Sequence, residues 1–143
     1  MKIFPKKGVE NILFGMKCKD VESILGKPSK MLDDEDANKI YLYNQHKLAL
    51  TFYEDEGFRL GYITIADTAT SLFGHKIMAC NVADAKKNLA DVQKWEFEDF
   101  DTFEHHFNEE NWLILVVEFN EIVKIEIGAL IVNDQFVWAF KSS

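Results

Sequence analysis

The chain has 143 residues, 48% of them apolar and 13% aromatic, which suffices for one packed globular domain and excludes a disordered chain. Its formal charge of −8 and its single arginine, Arg59, argue against a nucleic-acid partner, since phosphate affinity depends on basic side chains displacing counterions. Two cysteines, Cys18 and Cys80, are too few for a disulfide framework or a zinc site, and no apolar run approaches the length of a membrane span.

The first eight residues hold three lysines but no apolar core of a secretory signal, so a cytoplasmic location is expected. A short helix follows. Asp20 and Glu22 fall in its first turn, Val21, Ile24 and Leu25 form a one-sided apolar stripe, and Gly26 with Pro28 ends it. The run Asp33-Asp34-Glu35-Asp36 reads as an acidic loop leading to strands over 39–43 and 47–53. Leu48, Leu50 and Phe52 alternate with Ala49, Thr51 and Tyr53, so one face is buried. After a turn at Glu54-Asp55-Glu56-Gly57, a third strand covers 58–65.

The plan then recurs. Ser71-Leu72-Phe73-Gly74 echoes Ile12-Leu13-Phe14-Gly15 at a separation of 59 residues (73 minus 14). Asn81 caps a second helix, with Asp84 in a capping-box position and Val82, Ala85 and Leu89 as its apolar stripe. Strands are expected at 94–99, 102–107, 112–119 and 122–127, with Asn120-Glu121 as a tight connection and a terminal hairpin at 129–132 and 135–140. The predicted fold is α+β: two αβββ-type units, over 9–67 and 70–140, sharing one mostly antiparallel sheet with short helices on one side.

No nucleophile elbow, phosphate loop, dinucleotide fingerprint or two-histidine metal helix is present, so neither catalysis nor a cofactor is expected. His105 and His106 are neighbours on a strand and point to opposite faces, which does not suit one metal ion. The segment from Asp91 to Glu110 is more telling. Its eight carboxylates (Asp91, Glu96, Glu98, Asp99, Asp101, Glu104, Glu109 and Glu110) face a single base, Lys94, and Trp95, Phe97, Phe100, Phe103 and Phe107 are threaded among them. Such a mixture suits a surface that docks on a cationic protein, rings anchoring and charges steering. It also suits an ordinary half-buried sheet whose outer face is acidic for solubility. The docking alternative makes Trp95, Glu96, Glu98, Asp99, Asp101, Glu104, Glu109 and Glu110 the partner-binding set, assisted by Asp33, Asp34, Glu35 and Asp36.

Phe14-Gly15-Met16, Asp20-Val21 and Leu25-Gly26-Lys27-Pro28 resemble the opening of small αβ units found in the lipoprotein BamE and in tandem-repeat β-lactamase inhibitor proteins. The resemblance implies two αβ units forming a concave sheet that grips a partner protein. By analogy of size and charge it extends to bacterial immunity proteins, which occlude basic, nuclease-type toxins. The expected function is thus a non-enzymatic inhibitor of a basic protein such as a toxin domain; the alternative is an assembly module that self-associates through its sheet edge.

Overall fold

The computed structural model describes residues 1–141. Three short strands, β1 (Lys2–Phe4), β2 (Gly8–Val9) and β3 (Ile12–Leu13), open the chain, followed by α1 (Cys18–Leu25). Strands β4 (Lys30–Asp33), β5 (Lys39–Tyr43), β6 (Leu48–Tyr53) and β7 (Arg59–Ile65) then run as an antiparallel meander. After β8 (Ser71–Leu72) and α2 (Val82–Asn88) comes a second meander, β9 (Trp95–Asp99), β10 (Glu104–Asn108), β11 (Leu113–Glu118) and β12 (Glu121–Gly128). The hairpin β13 (Ile131–Val132) and β14 (Gln135–Phe136) closes the chain.

The two meanders meet at β7 and β12, giving one antiparallel sheet of eight strands in the order β4-β5-β6-β7-β12-β11-β10-β9. Register fixes its faces, because directly paired residues share a side. The row Tyr43, Leu48, Ile65, Ile125, Leu115, His106 is buried from one meander to the other. Tyr43 hydrogen-bonds the Gly26 carbonyl at the end of α1 (2.8 Å), and His106 meets Lys86 of α2 (2.7 Å). Both helices therefore cover the same face, as the sequence predicts. Among the described residues the opposite face carries no helix.

Helix α2 begins as expected, with the Asn81 side chain accepting the Ala83 amide at 2.9 Å. In α1 the cap is Lys17, whose amide is held by the Asp20 carboxylate, and Val21 is the buried residue. Ile24 belongs to the predicted stripe yet stays exposed, because the eight-residue helix inserts only one ridge into the sheet. Val21, Ala85, Ile3, Val9, Ile12 and Leu72 join the sheet's buried rows in a single core.

Three expectations need correction. Residues 30–33 form a strand where a loop was expected, so each helix is followed by four strands. The two-residue connection after β11 is Phe119-Asn120, with φ of 50° and 66°, one residue earlier than predicted. The Phe-Gly openers do not occupy matching places either. Strands β3 and β8 lie at opposite edges of a small four-stranded sheet, β3-β2-β1-β8, in which β8 runs parallel to β1. A different pair of segments does share a geometry. Gly15 donates to the Leu60 carbonyl (2.9 Å) and Leu60 to Met16 (2.8 Å), while Ala79 donates to Ile122 (2.8 Å) and Ile122 to Cys80 (3.0 Å). The register also slips at the same joint of each meander, leaving Gly61 in β7 and Val123 in β12 without a partner.

Candidate protein-binding face

Strand alternation divides the acidic segment between the two faces and the two ends of the sheet. Glu96 and Glu98 stand on the helix-free face, opposite Phe107 and His105 of β10. Trp95, Phe97 and Asp99 point to the helix side, where the Lys86 ammonium lies 5.3 Å from the Trp95 ring centroid. Asp99 and Asp101 sit at one end of the sheet, the Asp101 amide donating to the Asp99 carboxylate at 3.0 Å. Glu109 and Glu110 lie in the turn before β11, at the other end.

Glu104 faces the helix side, 3.2 Å from His106 Nε2. With the Lys86 ammonium donating to Nδ1, the remaining imidazole proton is on Nε2 and is shared with Glu104. Desolvation lowers the Lys86 pKa below its ordinary 10.5, and the Glu104 charge pulls it back up. This carboxylate is occupied within the fold.

The run Asp33–Asp36 lies at the far edge. Strands β4 and β9 are first and last in the sheet, so seven strand spacings, about 34 Å along it, separate the two acidic groups. Asp33 ends β4. Asp34 ties the loop together, its carboxylate accepting the amides of Asp36 (2.9 Å) and Asn38 (3.0 Å) and the Asn38 side chain (3.1 Å). Against the upward pull of desolvation, these bonds hold its pKa below 3.8. Glu35 is exposed, and Asp36 shares a depression with Glu54, Asp55 and Phe136. The structure keeps this loop at the opposite end of the sheet from Glu96 and Glu98.

That face holds a shallow cavity of about 310 Å³, lined by Glu96, Glu98, His105, Phe107, Trp112 and Ile114, with Phe97. Phe107 and Trp112 pack edge to face at 5.0 Å. His105 is flanked by Phe100 (4.7 Å) and Phe103 (5.3 Å), themselves stacked at 5.0 Å. An aromatic floor beside two free carboxylates can take the aliphatic stem of a lysine or arginine while its cationic head meets Glu96 or Glu98. His105, Trp112 and Ile114 were missed from sequence. The signal for His105 and Ile114 is cross-strand register, since Glu98 faces His105 and Glu96 faces Phe107, which in turn faces Ile114.

The fold and face together define a class, an α+β module whose sheet carries both helices on one face, while Phe136 of the terminal hairpin packs on Tyr53 on the other. No family model matches the chain, and no curated protein matches it significantly. Solved structures share the fold. A DUF4309 family protein (YjgB) from Bacillus subtilis is 12% identical with a TM-score of 0.55, over 87% of this chain and 88% of that one. An extracellular protein containing an SCP domain from Bacillus anthracis is 13% identical with a TM-score of 0.53, over 99% of this chain and 56% of that one. A cysteine-rich secretory protein from Staphylococcus aureus is 12% identical with a TM-score of 0.52, over 87% of this chain and 48% of that one. The chain thus spans about half the length of two of these neighbours. The expected kinship with BamE-like units, β-lactamase inhibitor proteins and immunity proteins is corrected by these matches, which place the fold with SCP-containing and DUF4309 proteins instead. The Gly-x-Pro helix ending behind that expectation is a general stop signal and does not discriminate between folds.

Proposed function

We propose that the chain is a non-enzymatic binding module that holds a cationic protein on the helix-free face of its sheet, at the β9–β11 end. The observation that carries this reading is the cavity in which Glu96 and Glu98 stand beside His105, Phe107 and Trp112. Aromatic anchors ringed by charge are the usual composition of energetic centres in protein interfaces. The formal charge of −8 favours encounter with a basic partner.

The matched amide bonds at Gly15–Leu60 and Ala79–Ile122, and the slips at Gly61 and Val123, support reading the chain as two copies of one helix-plus-four-strand unit. The copies then align at an offset of 62–64 residues (122 minus 60, and 79 minus 15), not 59. Divergence after duplication would account for the cavity at Glu96 and Glu98 belonging to the second copy.

The test compares capture from host lysate by the wild-type chain, by Glu96→Lys/Glu98→Lys, and by Asp99→Lys/Asp101→Lys. A basic protein retained at low salt by the wild type and by the Asp99/Asp101 variant, but lost with the Glu96/Glu98 variant, is the expected result. Equal capture by all three would overturn the reading. A mass rising with concentration and insensitive to salt would favour self-assembly through the sheet edge.

A further inference from the structure

We infer that the free edge of β9 pairs with an extended segment of the cationic partner in which basic and apolar residues alternate; this rests on the binding face proposed above and specifies what it holds. Strand β9 ends the eight-stranded sheet, and all of it beyond the half-buried Trp95 is exposed. Its backbone polarity follows from the hydrogen-bond alternation of antiparallel strands. Phe100 donates to Phe103, so the bonded pairs continue as Glu98 with His105 and Glu96 with Phe107. The N–H and C=O groups of Trp95, Phe97 and Asp99 therefore point outward, toward no other strand.

An added strand would carry its side chains alternately to the two faces. Those on the helix-free face meet Glu96 and Glu98, and complementarity there demands Lys or Arg. Those on the helix side meet Phe97, a ring 59% exposed although it sits 5.3 Å from His106, and apolar residues would cover it. A second copy of β9 is a poor occupant, because Glu96 and Glu98 would meet their own equivalents across the pair. The other sheet edge, β4, offers Lys30 balanced by Asp33 and does not supply the alternation.

The test uses three end-blocked nonapeptides: one alternating Lys and Val, one of the same composition with the lysines in a block, and the alternating one N-methylated at every second residue. The expected result is that the alternating peptide binds at least tenfold more tightly than either control, and that the amides of Trp95, Phe97 and Asp99 become protected from hydrogen exchange on binding. Equal affinity for the three peptides, or no protection of those amides, overturns strand addition. The two readings fail separately. If Glu96→Lys/Glu98→Lys weakens all three peptides alike, the acidic face stands and edge pairing falls; if it weakens none, the face itself falls. A mass that rises with concentration while the peptides fail to bind would assign the edge to a second copy and also overturn the proposal.

Discussion

The indole of Trp112 occupies the space that a side chain on Gly128 would need, so this glycine is a docking plate for one wall of the binding face. Gly128 donates its amide to the Trp112 carbonyl at 3.1 Å, and the ring meets Phe107 edge to face. Substituting Gly128→Ala forces the indole away and overpacks the site, at a cost of about 1–3 kcal/mol. Chemical denaturation should show that loss together with altered tryptophan fluorescence. Unchanged stability would mean that Trp112 has room to move.

Phe119 is a residue whose position works against stability. It is 94% exposed at a hairpin tip, at a φ of 50° that suits glycine or asparagine far better than a bulky ring. Left-handed backbone costs an ordinary residue about 1–2 kcal/mol, and this ring recovers little of that by packing. Phe119→Asn should therefore raise the melting temperature. The cavity beside it is lined by Asp99, Asp101, Glu104 and Glu118. Lower stability in the asparagine variant would show that the ring is held by contacts within the fold.

What could be read from the chain and what could not follow one physical line. Strand β5 was legible to the residue and α2 through its Asn81 cap, because alternation and capping are local signals. Strand β4 was not, since all four of its residues are exposed at a sheet edge and carry no alternation of polarity. Strands β1 to β3 are two or three residues long and are held by the small sheet rather than by propensity. In the acidic segment the period of two already sets Glu96 and Glu98 apart from Trp95, Phe97 and Asp99, and the structure keeps that division. Which of the two faces lies away from the helices needs the register of β9 against β10, through His106.

Tyrosines raised by burial, Tyr53 among them, give the protein an alkaline limit. Burial, with the nearby Glu22 and Cys18, pushes the Tyr43 hydroxyl up to about 12 from its ordinary 10.0. Burial also raises Tyr41, reinforced by Cys18 and Glu22, and raises Tyr62, reinforced by its hydrogen bond to Glu126. An acid whose folded pKa is raised binds its proton more tightly in the native state. Its contribution is complete below pH 10 and is lost as the pH climbs toward 12. Stability should therefore fall above pH 10. Tyr43→Phe should be less stable at neutral pH by about 1 kcal/mol, through loss of the Gly26 bond, yet less sensitive to alkali. Parallel pH profiles for the two proteins would contradict this account.

Lys86 works in the opposite direction. Desolvation lowers its pKa in the folded state, so the unfolded chain holds that proton more tightly as the pH approaches the ordinary 10.5. Burying the cation carries a penalty that is complete below the folded pKa and fades as the amine deprotonates, so this group makes stability rise with pH. Lys86→Met removes the titration and leaves His106 Nδ1 without its 2.7 Å donor. The variant should be less stable than the wild type at every pH, because an orphaned buried acceptor costs about 1–3 kcal/mol. The gap should widen as the pH rises toward 10.5, where the wild type alone gains from deprotonation. A gap that narrows over that interval would show that the ammonium is stabilised in place, its contacts with His106 and the Trp95 ring outweighing desolvation.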